Sequence, residues 1–439
     1  MTRSEFKRRR KALMEMMEPD SIAILPASPI SVRNRDVHYP YRPDSDFYYL
    51  TGFPEPQAVA VLIPGRAQAE YILFCREHDE KKARWDGPVA GQEGAVARYG
   101  ADDSFPITDL DEILPRMLEQ ARRVYYAMGA HPDLDQRVLD WVNGIRRRAR
   151  EGVTGPVEFI ALDHYLHELR LFKSRPEIKV MARAAAISAE AHKRAMRVCR
   201  PGMMEYELEA EILHECACHG ARAQAYAPIV GGGANACVLH HVDNASPLRD
   251  GDLVLIDAGC ELDYYASDIT RTFPVNGRFS PAQRDLYAWV LAAQKAALEK
   301  VRPGNHWDDP HQAAVRTLAK GMLELGLVKG GKATLAKIVR DARYKRFYMH
   351  RTGHWLGMDV HDVGDYKVDG EWRLLEPGMC LTVEPGLYIA PDAGGVAKRW
   401  RGTGIRIEDD VLVTPEGHEV LSSDAPKDMD EIEHLMGER

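Results

Sequence analysis

The chain is short of cysteine, with seven in 439 residues. They are scattered, and an odd number leaves no fully paired disulfide framework. Cys216 and Cys218 fall on a predicted helix at a spacing that makes no zinc pattern. Reduced thiols in a cytoplasmic protein fit that usage. Long blocks of one charge sign are missing too. The formal net charge of −8 is spread along the chain, which excludes the basic footprint of a nucleic-acid binder. No apolar run is long enough to span a bilayer, so no membrane partner is expected. Met1-Thr-Arg-Ser-Glu-Phe-Lys-Arg-Arg-Arg10 is basic, but no apolar segment or small-residue cleavage site follows it. No signal peptide is expected there. Gly231-Gly-Gly233 is followed by no Lys-Ser or Lys-Thr, so a phosphate loop would lack its cation. What is present is ordinary: 45% apolar and 28% charged residues, the balance of a globular protein of two or three domains with a large core.

One stretch is not ordinary. Asp257-Ala-Gly-Cys-Glu-Leu-Asp-Tyr-Tyr-Ala-Ser-Asp268 lies between the apolar run Leu253–Ile256 and the β-prone run Ile269–Phe273. That pattern predicts a β-hairpin turning near Leu262-Asp263. In a simple antiparallel register Asp257 and Asp268 face each other with Cβ atoms about 5 Å apart. Like charges so placed repel, and a cation between them would relieve the repulsion. An all-oxygen pair favours a hard ion such as Mg or Mn. Two solvated carboxylates at the ends of an ordinary hairpin are the plain alternative.

The rest of the chain bears on that choice. The N-terminal half reads as an α/β unit, with a helix over 4–18 and strand-like runs at Ser21–Leu25, Ala58–Ile63 and Tyr71–Cys75. Residues 34–53 and the segment around Arg84-Trp-Asp-Gly87 read as irregular. This half offers no compact set of metal-type ligands. A boundary near Leu171–Glu177 precedes a long helix that Ser174 caps and Pro176 opens. Arg200-Pro-Gly202 stops it, and a second helix covers about 205–218. The plan recurs: a helix from Ser280-Pro281 to about Val301, Arg302-Pro-Gly304, then a helix over about 309–325. Helix, Arg-Pro-Gly, helix, then strands, twice over, reads as a degenerate duplication with pseudo-twofold symmetry and acidic ligands from each copy.

The second copy carries Glu384 in Leu381-Thr-Val-Glu-Pro-Gly-Leu-Tyr388 and Glu408 in Gly404-Ile-Arg-Ile-Glu408. Alternation puts Ile405 and Ile407 on one face and Arg406 and Glu408 on the other, which is also the pattern of a solvated edge. Between the copies lies His350-Arg-Thr-Gly-His354-Trp-Leu-Gly-Met-Asp-Val-His361. Three histidines in a glycine-punctuated segment tip the balance towards chemistry.

Taken together, Asp257, Asp268, His354, Glu384 and Glu408 resemble the ligand set of the dinuclear metallopeptidases with the pita-bread fold. That group includes methionyl aminopeptidase, aminopeptidase P, prolidase and creatinase. The resemblance runs from about 174 to 425 and is specific as a set of motifs. Residues 34–53 and Arg84-Trp-Asp-Gly87 resemble the N-terminal domain of bacterial aminopeptidase P. The fold class implied is α+β: a creatinase-like α/β domain over 1–172 and a pita-bread catalytic domain over 173–439.

The resemblance also implies chemistry. Two divalent ions, Mn(II) by family habit, take Asp257 as a bidentate ligand to one metal. Asp268 and Glu408 bridge both, and His354 and Glu384 complete the second. A hydroxide shared by the ions attacks the Xaa-Pro bond, releasing an N-terminal residue that precedes proline. Glu384 also relays a proton, His361 hydrogen-bonds the carbonyl oxygen, and His240 sits near the substrate's amino terminus. His241 is a looser match. His350 lines the proline side, Arg406 stands beside the metal-binding Glu, and Trp85 reaches the site of a neighbouring subunit in a homo-oligomer, tetramer or dimer. Arg351 tunes the pocket or is a surface charge. Prolidase shares the ligand set, so an Xaa-Pro dipeptidase is the nearest alternative, and a non-catalytic peptide-binding protein on this fold is a more distant one.

Overall fold

The computed structural model describes residues 1–119, 121–329 and 335–438. The chain divides into two compact units, Met1–Arg170 and Leu171–Arg439.

The first unit is built on a six-stranded mixed sheet in the order Asp103–Pro106, Tyr71–Cys75, Val59–Leu62, Ser21–Pro26, Arg123–Tyr125, Glu158–Ile160. Tyr71–Cys75, Val59–Leu62 and Ser21–Pro26 pair antiparallel in turn, and the remaining pairs are parallel. Residues two apart share a face of a strand. Ile22 and Ile24, Val59 and Val61, and Ile72 and Phe74 accordingly pack with Leu110, Leu114, Val138 and Trp141 in one buried cluster. Those last four belong to the helices Leu110–Leu118 and Pro132–Arg147. Two segments expected to be irregular are ordered. Asp44 accepts from the Phe47 N–H and starts the helix Ser45–Thr51, which ends on Gly52 at positive φ. Asp79 caps the helix Glu80–Asp86 in the same way. A single capping carboxylate suffices for each turn and outweighs the turn-rich composition around it.

The second unit shows the two-copy plan. Ser174 and Glu177 form a capping box at the start of the helix Arg175–Val198, and Glu205–Cys218 follows. Ser280 and Gln283 do the same for Pro281–Leu298, and Asp308–Glu324 follows. Each helix pair is succeeded by antiparallel strands: Ile229–Gly232, Leu253–Asp257 and Thr270–Pro274 in the first copy, and Cys380–Val383, Asp409–Thr414 and Gly417–Val420 in the second. This is the mixed α/β content of the pita-bread fold. One continuous core joins the copies: Ala184, Val254, Phe273, Val290, Leu381 and Val411 belong to a single buried cluster.

Candidate metal centre and substrate cavity

Asp257 ends the buried strand Leu253–Asp257. Its ladder partner is Thr270. The expected face-to-face register with Asp268 is therefore corrected: Asp268 lies two residues outside that ladder. After Ala258 the chain leaves the ladder for a nested hairpin, Cys260–Leu262 with Tyr265–Ala266, which turns on Asp263 and Tyr264 at φ 49° and 67°. That pair of left-handed residues is the tight two-residue turn that matches strand twist. A Cβ on Gly259 would lie 1.8 Å from the Ser267 carbonyl oxygen, so only glycine lets the nested hairpin close there. The two carboxylates meet instead through Tyr226, whose hydroxyl oxygen is 2.5 Å from an oxygen of Asp257 and 2.5 Å from one of Asp268. Burial, then these two carboxylates, push the phenol well above its usual range and keep it protonated.

Glu384 and Glu408 sit at matching interruptions of one long hairpin. Val383 pairs with Asp409 and Gly386 with Arg406, and the residues between belong to no ladder. Pro385 has no N–H to donate, which breaks pairing there. The freed Glu384 N–H bonds the Thr352 carbonyl, and the Glu408 N–H bonds the Thr270 carbonyl. The Thr270 hydroxyl donates to the Glu408 carboxylate at 2.6 Å. Neither Arg406 nor Glu408 is at a solvated edge, since they are 3% and 2% exposed. That alternative fails because the hairpin is covered on both faces.

His354 is set by backbone. Its carbonyl accepts from Thr382 N–H, and a Cβ on Gly353 would lie 2.0 Å from the Thr382 carbonyl oxygen. The Nδ1 atom bonds the Trp355 carbonyl at 2.9 Å, so Nδ1 carries the proton. Nε2 is left facing Asp268 at 3.3 Å and Glu384 at 3.7 Å. An outer N–H bond of this kind orients an imidazole for a metal. Donor atoms of Asp268, His354 and Glu408 all lie within 4.8 Å of one another.

The electrostatics say what the cluster suits. Burial, then Asp268, Glu384 and Asp257, hold the Glu408 carboxyl well above the usual range. Burial raises Glu384 to about 7 against the pull of His354 and Arg406, and burial also raises Asp268. Burial opposes charge on His354, yet Asp268 and Glu384 lift it to about 9. Carboxylates this crowded ionise together only beside cations. The donor set therefore fits divalent metal.

A cavity of about 890 Å³ opens over this cluster, lined by Asp257, Asp268, His354, Glu384 and Glu408 and also by His240, His350, His361 and Arg406. The His361 ring stands 4.4 Å from that of His354, nearly perpendicular to it. Burial, then His354 and His240, lower its pKa and favour the neutral ring. His350 Nε2 is 2.9 Å from the Tyr388 hydroxyl, and burial followed by Arg406 pushes the imidazole down to about 3. Arg406 reaches Asp257 at 2.6 Å, Tyr388 at 3.0 Å and Thr270 at 3.1 Å. Trp85 belongs to the first unit, on the helix Glu80–Asp86, and is 89% exposed. His241 bonds the buried Glu205 at 3.0 Å.

Sequence reasoning passed over Tyr226, Tyr388, Thr270 and Glu205. Tyr226 sits in Ala-Tyr-Ala-Pro, which matches no motif. Tyr388 carried a signal, since alternation from Gly386 puts it on the face paired towards Arg406.

Comparison with known proteins agrees with this geometry. Residues 179–415 match the model of metallopeptidase family M24, and residues 6–125 match the aminopeptidase P N-terminal domain. The chain is 46% identical to the Xaa-Pro aminopeptidase of Escherichia coli over 437 residues, covering 99% of this chain and 98% of that protein. Among solved structures, the aminopeptidase PepP of Pseudomonas aeruginosa superposes with a TM-score of 0.98 at 60% identity, covering 100% of this chain and 98% of that one. A zinc-substituted aminopeptidase P of Escherichia coli in complex with product superposes with a TM-score of 0.96 at 46% identity, covering 100% and 99%. A catalytic-type cavity, a crowded carboxylate–imidazole cluster and both domain matches lead to one statement: the chain belongs to metallopeptidase family M24, with an aminopeptidase P N-terminal domain ahead of the M24 domain.

Proposed function

We propose that this protein is a metal-dependent Xaa-Pro aminopeptidase, which releases the N-terminal residue from peptides with proline in the second position. The observation that carries this reading is a single cavity holding four carboxylates and four imidazoles around the Asp268–His354–Glu408 group. The names and close similarity of its relatives supply the substrate class.

Asp257, Asp268, His354, Glu384 and Glu408 are the residues that would hold two divalent ions. Four carboxylates offset their charge, and the oxygen-rich set suits Mn(II). Such ions acidify water and polarise the scissile carbonyl. The protein's own groups do the rest. Glu384, 3.6 Å from His350 and 3.7 Å from His354, receives the proton from water and passes it to the leaving proline nitrogen. His361 donates an N–H to the oxyanion from a ring that stays neutral. His240 receives the amino-terminal side of the substrate. His350, kept uncharged and tied to Tyr388, presents a face to the proline ring. Arg406 fixes Asp257 and Tyr388 together, so the acidic cluster and the proline wall share one anchor.

We further infer a homo-oligomer, tetramer or dimer, working in the cytoplasm. A nearly bare indole at Trp85 is the residue type that anchors interfaces, and seven free thiols suit a reducing compartment. No helix among the described residues is long and apolar enough to cross a membrane.

Hydrolysis of a matched Xaa-Pro dipeptide and Xaa-Pro-Yaa tripeptide, by metal-stripped and Mn-reloaded protein, tests the reading. Mn-dependent cleavage of the tripeptide before proline, with little on the dipeptide, is the expected result. Preference for the dipeptide would make the protein a prolidase. No cleavage of either with two metals bound would overturn the assignment.

A further inference from the structure

The cavity has a second chemical end. Beyond the metal-type donors it is lined by Arg351, Lys367 and Trp372. Lys367 and Trp372 are directly paired across a short hairpin, Lys367–Val368 with Glu371–Trp372. Its turn, Asp369-Gly370, has φ of 52° and 85°, the compact two-residue geometry that matches strand twist. Across the ribbon the Lys367 ammonium stands 4.6 Å from the centroid of the Trp372 ring. The Arg351 guanidinium approaches the same ring at 4.7 Å. Each contact is a favourable cation–π pairing, but two cations converging on one indole also repel each other.

The neighbouring acids leave that excess in place. Asp308 bonds one nitrogen of Arg351 at 2.5 Å, which orients the guanidinium and leaves others of its five N–H donors for a ligand. Lys367 has no carboxylate partner among the described residues. Asp365, Asp369 and Glu371 are close in sequence, yet none of them lines the cavity, and neither does Asp308. Strand alternation sends Glu371 to the opposite face from Trp372. This end of the cavity thus presents positive charge on an aromatic floor. Arg351 directly follows His350, whose Nδ1 is 3.6 Å from Glu384. In the reaction proposed above, that is the side from which the proline-containing product leaves.

We propose that Arg351, Lys367 and Trp372 form a carboxylate-binding subsite for the leaving part of the peptide. The ligand is a carboxylate shortly after proline, either the free C-terminus of a short peptide or an acidic side chain. The proposal rests on the Xaa-Pro reading and adds substrate selectivity to it. With the Arg351 side chain 46% exposed, the attraction is partly screened and weakens with salt.

The test uses Mn-loaded full-length protein and two matched pairs. Ala-Pro-Ala against its C-terminal amide reads the free terminus. Ala-Pro-Glu-amide against Ala-Pro-Gln-amide reads the side chain. We expect the carboxylate member of at least one pair to be favoured roughly three- to fivefold in kcat/KM, carried by KM and shrinking at high salt. Lys367→Met and Arg351→Met each shrink the preference, and Lys367→Glu turns it towards Ala-Pro-Lys-amide. Equal rates within both pairs in the wild type would overturn the subsite while leaving the peptidase reading intact. So would a preference that survives Lys367→Met and Lys367→Glu in proteins with normal metal content and circular dichroism. Failure to cleave any of these peptides would overturn both.

Discussion

His241 Nε2 lies 3.0 Å from a carboxylate oxygen of Glu205, and Glu205 is 0% exposed. The same carboxylate accepts from the Gly232 N–H, the Asn235 side-chain amide and the Ser246 N–H. One buried anion thus ties both ends of the segment that carries His240. Burial alone would raise the Glu205 carboxyl, but these donors overcome it and hold the group below the usual carboxylate range.

Glu205→Gln keeps the shape and removes the charge. It should cost about 1–3 kcal/mol in urea unfolding and lower kcat/KM about tenfold through the His240 segment, with metal content unchanged. A carboxyl held low in the fold, against about 4.3 in the unfolded chain, adds stability above that value and loses it as pH falls through the folded one. The gap between wild type and Glu205→Gln should therefore narrow below about pH 4. A gap that widened on acidification would remove Glu205 from this role.

Lys173 and Asp362 form an ion pair at 2.9 Å with each side chain 1% exposed. Asp362 directly follows His361, and its N–H bonds the Trp355 carbonyl beside His354. Lys173→Met should destabilise the fold by about 3–5 kcal/mol in thermal and urea unfolding because it takes the ammonium away from a buried carboxylate. Lys173→Arg, which keeps a cation beside Asp362, should lose much less. A Lys173→Arg variant as unstable as Lys173→Met would show that the ammonium charge is not what Asp362 needs.

His361→Ala should lower kcat about 100-fold, as for the loss of one oxyanion donor, and retain both metals. Asp257→Asn should instead lose metal, and activity with it, while keeping its circular dichroism. Metal analysis on both proteins separates the roles, and equal metal loss would make His361 a ligand.

Metal uptake should release protons. The metal-free protein holds Glu384 at about 7 and His354 at about 9, so near pH 6.5 both carry protons that a cation must displace. Affinity should fall as pH falls. Calorimetric titration with Mn(II) in two buffers of different ionisation enthalpy should give different apparent heats, and identical heats would contradict the expectation.

Much of the second unit was readable because its signals are local. Ser174 and Ser280, each followed by proline in the first turn, cap the two long helices, and apolar periodicity does the rest. The Asp257–Asp268 register was not readable, because the nested hairpin that displaces it depends on pairing with Ala223–Gln224, far upstream. Tyr226 escaped for the same reason: it acts 31 and 42 positions away from the carboxylates it joins. The ordered helices Ser45–Thr51 and Glu80–Asp86 show the reverse failure, in which a polar composition, with prolines ahead of the first, hid a good cap.

The two interruptions that carry Glu384 and Glu408 lie among the strands of the second copy, with His354 just ahead of them, while Asp257 and Asp268 come from the first. The proposed donors are thus shared out unequally between the copies. A self-sufficient ancestral repeat would have needed a site of its own, yet neither present copy holds more than part of one. Once the donors had been divided in this way, the duplication could no longer be undone by losing a half.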